Sequence, residues 1–168
     1  FAGNNGIKIF YRDYGPGDGD PILLVHGLGA QLVHWPPHLI NFLQANEFRP
    51  ITYDNRYVGL SSRFSGNPSF ILDYIKYFLR LPIKSEYKID DMADDGIKVL
   101  ESLNIDKAHI LGTSMGGMIA QIISAQYPEK VKSFTLIAST ASTPSPINAP
   151  SKPVRDLMME RSKNPNAS

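Results

Sequence analysis

Cysteine is absent from the 168 residues of this chain. Disulfide bonds, thiol catalysis and cysteine metal sites are therefore excluded for it. The chain has four histidines, which are His26, His34, His38 and His109. None of them stands at metal-ligand spacing with carboxylates, so the sequence predicts no metal site.

An excess of charge of one sign is also missing. Lys and Arg number 17 against 16 for Asp and Glu, which gives a formal net charge of +1. Without a basic patch or a long run of charge, nucleic acid is not an expected partner. The longest apolar runs have the length of strands, so the sequence predicts no membrane span.

The chain does contain a G-x-S-x-G pattern, Gly-Thr-Ser-Met-Gly, at residues 112–116. An apolar run over 108–111 predicts a buried strand before it, and residues 118–126 predict a helix after it. A serine at such a sharp strand-to-helix turn, a nucleophile elbow, is exposed and strained. The pattern therefore predicts Ser114 as a catalytic nucleophile. The alternative is a glycine-rich turn that carries an ordinary surface serine.

A second pattern supplies the oxyanion hole that such a serine needs. Residues 21–26 predict a buried parallel strand, and His-Gly-Leu-Gly occupies positions 26–29. Acyl transfer needs two N–H donors, one from the residue after the nucleophile and one from a loop after an earlier strand. These are predicted to be the backbone N–H groups of Met115 and Leu28. We interpret His26 as a structural loop histidine and not as a proton-transfer group.

A third pattern lies between these two, where a strand in residues 51–61 ends in Asp-x-Arg-x-x-Gly-x-Ser. In this order and spacing, the three patterns resemble the α/β-hydrolase superfamily. The Asp-Asn-Arg form is most similar to bacterial esterases of the aclacinomycin methylesterase-like group. The resemblance implies that Asp54 and Arg56 are architectural, with Arg56 bracing the loop that carries the oxyanion donor. Tyr57 departs from the pattern, because many relatives have Gly or Asp there.

Alternating strand and helix patterns predict an α/β fold, a mostly parallel twisted sheet with helices on both faces. Further predicted strands are 7–14, 49–53 and 133–138. Further predicted helices are 37–46, 70–81 and one that is capped by Asp90 or Asp91 and runs to about Leu103. Asn5 and Gly6 predict a hairpin turn. The aromatic-rich 70–81 helix is expected to be buried against the core, and the alternative is a flap over the active site.

The character of the sequence changes near residue 140. Residues 1–140 are predicted to form the N-terminal part of the hydrolase core, and residues 141–168 a proline-rich linker and the start of a lid. The prolines that exclude regular structure at the start of this segment are Pro144, Pro146, Pro150 and Pro153. Residues 154–163 predict one short helix, which the resemblance places in a lid. The alternative is a frayed tail.

A serine nucleophile needs a general base, usually a histidine that a carboxylate orients. In this fold both follow the serine in sequence, but no histidine follows Ser114. The carboxylates after it, none at an expected acid position, are Glu129, Asp156 and Glu160. We therefore expect the triad Asp and His, and the C-terminal strands, to lie outside this chain, in a second polypeptide or a further C-terminal segment. The chain alone is expected to be inactive, with 133–138 as an unpaired sheet edge.

Two functions are consistent with these patterns. The first is a serine hydrolase that cleaves a small-molecule carboxylic ester through Ser114 and needs no cofactor. The second is a non-catalytic protein of the same fold that binds a small apolar ligand or a partner chain. The intact serine and both oxyanion positions favour the first function.

Overall fold

The computed structural model describes residues 1–4, 6–15, 17–63, 87–141, 152, 153 and 156. The strands within these residues are β1 Ala2–Asn4, β2 Ile7–Ile9, β3 Tyr11–Asp13, β4 Asp20–Val25, β5 Phe48–Tyr53, β6 Ala108–Thr113 and β7 Val131–Ile137. The helices are α1 Pro37–Ala45, α2 Ile89–Ser102 and α3 Met115–Gln126, and 3₁₀ turns cover Leu32–His34 and Pro128–Lys130. None of these helices is both long and apolar enough to cross a membrane.

Five strands form one sheet in the order β3-β5-β4-β6-β7. Strands β4 to β7 are parallel, and β3 is antiparallel to β5, so the predicted mostly parallel sheet is confirmed. The predicted single strand 7–14 is wrong, because β2 pairs with β1 in a separate hairpin while β3 joins the main sheet. The division falls at Phe10, whose N–H donates to the Ser61 hydroxyl (2.8 Å).

Apolar side chains alternate along the central strand β4 and divide the core into two layers. Leu23 and Val25 pack with residues of α2 and α3 on one face of the sheet. Ile22 and Leu24 pack with Ile40 and other residues around α1 on the opposite face. Both faces are covered, which explains why this strand is a continuous apolar run. The predicted helices on both faces are confirmed.

Strand β7 lies at the end of the sheet order and pairs with β6 alone among the described strands. Six of its seven residues are exposed, including Phe134, Leu136 and Ile137. Exposed apolar side chains on an edge strand favour pairing with another strand, from the same polypeptide or from a second one. The predicted sheet edge is therefore present in the described part of the chain.

Helix α2 begins at Ile89 with Lys88 in the N-cap position, so the prediction that Asp90 or Asp91 is the N-cap is wrong by two or three residues. The Asp91 carboxylate still caps the helix from its first turn, because it accepts the Lys88 N–H (2.5 Å). Negative charge in this turn also suits the positive end of the helix dipole.

The predicted 70–81 helix lies outside the described residues, as does most of the segment after residue 141. Lys152 and Pro153 are helical, so helical structure begins before residue 154 and regular structure is not excluded at Pro153. Proline is tolerated in the first turn of a helix, where its missing N–H would have no partner.

Candidate active site

Ser114 stands between the last residue of β6 and the first residue of α3, with backbone angles φ 52° and ψ −121°. This conformation is sparsely populated for a residue with a side chain and costs about 1–3 kcal/mol. The surrounding backbone holds it in place: its N–H donates to the Ile137 carbonyl (2.9 Å), and its carbonyl accepts the Gly117 N–H (2.9 Å) and the Ser139 hydroxyl (2.8 Å). The side chain that this strained turn presents is exposed.

The two glycines that flank Ser114 are required by close backbone approach. A β-carbon on Gly112 would lie 2.2 Å from the Gly116 carbonyl oxygen, and one on Gly116 would lie 2.1 Å from the Val25 oxygen. The turn is therefore packed tightly on itself and on the end of β4. Because β4 and β6 are neighbouring parallel strands, with Val25 opposite Gly112, their carboxyl ends meet at one edge of the sheet.

The loop after β4 comes directly against Ser114. A β-carbon on Gly27 would lie 3.1 Å from the Ser114 β-carbon and 3.7 Å from its hydroxyl oxygen. The Gly27 carbonyl accepts the Ala30 N–H (3.3 Å), and Gly29 has φ 70°, which together make a type II turn. In a trans peptide the N–H points opposite to the carbonyl, so the Leu28 N–H is directed away from this turn.

Met115 is the first residue of α3. The first four N–H groups of an α-helix have no acceptor within the helix, and the helix dipole adds positive potential at this end. The side chain of Met115 is partly buried against the core, which fixes the start of the helix. The backbone N–H of Met115 therefore lies where a negatively charged group beside Ser114 is stabilised.

The His26 ring stacks on the indole of Trp35, with centroids 4.2 Å apart. Burial lowers the pKa of His26; repulsion from His34 acts in the same direction, and Asp54 opposes both. These effects favour the neutral ring, and its buried Nε2 has no hydrogen-bond partner within the described residues. In the part of the chain that the structure describes, no hydrogen bond joins Ser114 to a histidine side chain.

His109 lies near the opposite end of β6 from Ser114, about 16 Å away at 3.3 Å per residue. Its ring contacts the Ser133 hydroxyl (2.7 Å, at Nδ1) and the Asp20 carboxylate (3.2 Å, at Nε2). Lys132 also donates to Asp20, and this hydrogen bond lowers the pKa of the Asp20 carboxyl. Among the described residues, no group of three or more His, Asp or Glu is placed to hold a metal ion.

Comparison with known proteins places this geometry in a family. The profile described as the alpha/beta hydrolase fold matches residues 20–165. The chain belongs to the alpha/beta hydrolase family. This match covers all the strands of the main sheet except β3.

The relatives of this α/β hydrolase chain include enzymes that cleave esters. Rhodomycin D methylesterase DauP of Streptomyces sp. strain C5 is 29% identical over 121 residues, which cover 72% of this chain and 35% of DauP. The structure of Est816, described as an N-acyl homoserine lactone degrading enzyme, matches with TM-score 0.64 and 28% identity over 82% of this chain and 44% of Est816. A carboxylesterase structure from Nitrososphaera gargenis matches with TM-score 0.68 and 25% identity over 94% of this chain and 49% of that chain.

The resemblance to methylesterases is thus confirmed, and the α/β-hydrolase fold with it. The chain spans 42% of the length of the first curated relatives that it matches. It therefore covers only part of the fold.

Arg56 does not have the contact that the family resemblance implies. Its Nε and a terminal nitrogen donate to the Asp95 carboxylate (2.7 and 2.9 Å), and the same terminal nitrogen donates to the Asp91 carbonyl (2.9 Å). These acceptors belong to α2, so the expectation that Arg56 braces the loop after β4 is wrong. Asp54 makes that contact instead, because its carboxylate accepts the Leu32 N–H (2.8 Å).

This role of Asp54 was missed, although the sequence holds a signal for it. Asp54 comes directly after β5, which is the strand next to β4 in the sheet. Side chains that follow neighbouring parallel strands meet at the same edge, so an acid here can reach the loop after β4. The side chain of Arg56, two residues further on, is long enough to reach several elements, and the sequence does not indicate which of them it contacts.

Proposed function

We propose that this chain carries the nucleophile and oxyanion hole of a serine hydrolase that acts on a carboxylic ester. The observation that carries the proposal is Ser114 itself, an exposed serine held at φ 52° between β6 and α3 with Gly27 against it. Strained backbone conformations that the surrounding structure holds in place occur mainly at functional sites. A strand-turn-helix serine with this context is the nucleophile elbow of α/β hydrolases.

In the proposed reaction the Ser114 hydroxyl attacks the ester carbonyl and its proton passes to a histidine base. The carbonyl oxygen becomes an oxyanion, which the N–H groups of Leu28 and Met115 stabilise. The N-terminus of α3 adds its dipole at the same point. Loss of one such donor costs about 3–4 kcal/mol of transition-state stabilisation. The tetrahedral intermediate collapses by expelling the alcohol, and water then hydrolyses the acyl-serine.

The triad Asp and His are proposed to come from outside these residues, in a C-terminal segment or a second polypeptide that pairs with β7. Two observations support this: no histidine follows Ser114, and among the described strands β7 pairs on one side only and carries exposed apolar side chains. Residues 1–140 are then the N-terminal part of the core, and residues 141–168 the linker and start of a lid. Peptide mapping of the purified full-length protein by mass spectrometry tests this, and finding no residues beyond 168 and no second chain would contradict it.

The ester class of the substrate is supported by what the relatives act on. Rhodomycin D methylesterase DauP and the Nitrososphaera gargenis carboxylesterases are named for the cleavage of esters, and Est816 is described as degrading N-acyl homoserine lactones, which contain a cyclic ester. The proposed substrate is therefore a small-molecule ester.

A fluorophosphonate probe on the full-length protein tests the nucleophile. We expect labelling at the peptide that contains Ser114 and its loss in Ser114→Ala. Ser133→Ala is the matched control, because the Ser133 hydroxyl contacts a histidine (2.7 Å to His109), as a catalytic serine does, but lies near the opposite end of β6 from the oxyanion donors. Labelling that survives Ser114→Ala, or an unlabelled wild-type protein that hydrolyses no activated ester, would overturn the proposal; the second result would favour a ligand-binding protein of the same fold.

A further inference from the structure

The Asp54 carboxylate is buried, with only 2% of the residue exposed, and it joins two loops. One oxygen accepts the Leu32 N–H from the loop after β4 (2.8 Å), and the other accepts the Leu60 N–H from the loop after β5 (3.0 Å). No salt bridge to Asp54 is present in the described residues, since Arg56 is engaged by Asp95. A buried carboxylate is expensive unless backbone donors satisfy it, so these two N–H groups determine its position.

The next residue, Asn55, holds the other end of the same loop. Its side-chain nitrogen donates to the His26 carbonyl (3.2 Å), and the residue is 1% exposed. The Asn55 side-chain oxygen is buried, and no hydrogen bond to it is present among the described residues. An unsatisfied buried acceptor is costly, and a native structure that retains one needs a reason. The hydrogen bond from the Asn55 side-chain nitrogen to the His26 carbonyl explains why Asn55 is kept in this buried position.

The segment between these two contacts, residues 26–32, carries the proposed oxyanion donor. Inside it, the turn hydrogen bond from Ala30 to Gly27 is long, at 3.3 Å, and Gly29 adds conformational freedom. The Leu28 side chain is 83% exposed and so contributes little packing to hold the loop. The position of the Leu28 N–H therefore depends on how firmly the two ends of the segment are fixed.

We propose that Asp54 and Asn55 are positioning residues for the oxyanion hole. They clamp the two ends of the loop 26–32 to the end of β5 and thereby hold the Leu28 N–H against the site of Ser114. This inference rests on the proposed hydrolase function. The two residues act through the loop and do not touch the substrate. Their contribution appears in the transition state, where the oxyanion forms, and not in binding of the ground-state ester.

Asp54→Asn and Asn55→Ala in the full-length protein test this proposal with an activated short-chain ester. Asp54→Asn replaces one acceptor oxygen by a donor, and Asn55→Ala releases the His26 carbonyl. We expect kcat to fall about 10- to 100-fold, with KM changed by less than about threefold. A displaced N–H donor loses part of the transition-state stabilisation that complete removal of the donor would abolish. The matched control is Asp13→Asn, which alters a carboxylate that also accepts a backbone N–H (from Gly15, 3.0 Å) but lies in β3.

Hydrogen exchange supplies a readout that does not depend on activity. Peptides covering residues 26–34 are expected to exchange about tenfold faster in either clamp variant and at the wild-type rate in Asp13→Asn. Unchanged exchange of these peptides in the clamp variants would overturn the inference, and so would an equal loss of kcat in Asp13→Asn. If the wild-type protein still hydrolyses the ester, the proposed function is unaffected by either result. Wild-type protein without esterase activity would overturn both the proposed function and the inference. If Asp54→Asn does not fold, Asn55→Ala decides between these results.

Discussion

Arg56 and Asp95 form a buried ion pair with two hydrogen bonds, and their side chains are only 6% and 1% exposed. Asn4 donates a further hydrogen bond to the same carboxylate (2.8 Å), and the Tyr87 ring lies 5.4 Å from the guanidinium carbon. The pair thus joins the end of β5 to α2 and to the β1–β2 hairpin. Replacing one partner leaves the other charge buried and alone, which costs more than the intact pair contributes.

The first prediction concerns this pair. Asp95→Asn is expected to lower the free energy of unfolding by about 3–5 kcal/mol, because Arg56 loses its counter-charge in a buried site. Urea denaturation followed by circular dichroism measures the loss. Glu101→Gln on the same helix is the control: it removes an exposed pair with Lys98 (2.7 Å) and is expected to cost at most about 1 kcal/mol. Equal losses in the two variants would contradict the account of the buried pair.

The second prediction concerns the tight turn around Ser114. Gly116→Ala would place a β-carbon 2.1 Å from the Val25 carbonyl oxygen, so α3 must move away from β4. We expect a loss of several kcal/mol in stability, in the upper range for single substitutions, with reduced probe labelling of Ser114. Gly3→Ala is the control, since among the described residues no atom beyond its own chain neighbours lies within 4 Å of the added β-carbon. Equal melting temperatures for Gly116→Ala and Gly3→Ala would contradict the close approach of Gly116 to β4.

The third prediction concerns the Leu28 N–H, which Leu28→Pro removes. The substitution fits the backbone, because Leu28 occupies the second position of a type II turn, where proline is favoured. We expect kcat for an activated ester to fall about 100- to 1000-fold with little change in KM. Leu28→Ala, which removes only an exposed side chain, is expected to retain near wild-type kcat. A proline variant as active as the alanine variant would exclude this N–H from the oxyanion hole.

The fourth prediction concerns alkaline pH. The Tyr127 hydroxyl donates to Asp94 (2.6 Å), and this hydrogen bond raises the pKa of Tyr127 to about 12. Because the folded-state pKa lies above the unfolded value of about 10, the stabilisation is complete below pH 10 and is lost as the pH rises towards 12. Difference absorbance of tyrosinate should show a group that titrates near pH 12 and is missing in Tyr127→Phe. In Asp94→Asn the same group should titrate earlier, and an unchanged midpoint would refute the assignment.

Features with a local cause could be predicted from the sequence. The apolar run of β4 and the Pro at the start of α1 mark elements whose predicted bounds agree with the structure within one residue. The position of Ser114 between a strand and a helix could also be predicted, because apolar patterns mark both elements and the flanking glycines permit the close backbone approach of a tight turn. The family follows from the order of three short patterns.

Features with a long-range cause could not be predicted. Phe10 interrupts a run that looks continuous, because the Ser61 hydroxyl, distant in sequence, takes its N–H. The direction of Arg56 depends on Asp95, which lies on a helix 39 residues later. The sequence does place Asp54 directly after a predicted strand, but its contact with Leu32 depends on the order of the strands, which a single sequence does not state. In each case the partner is known only once the sheet is assembled.

In the proposed function Ser114 forms a covalent acyl intermediate. The most direct test is rapid mixing of the full-length protein with p-nitrophenyl acetate, followed by acid quench and peptide mass analysis. We expect a burst of p-nitrophenol close to one equivalent of the enzyme and an acetyl group on the peptide that contains Ser114. Neither is expected in Ser114→Ala. Hydrolysis by Ser114→Ala at the wild-type rate, or acetylation at another residue alone, would contradict it.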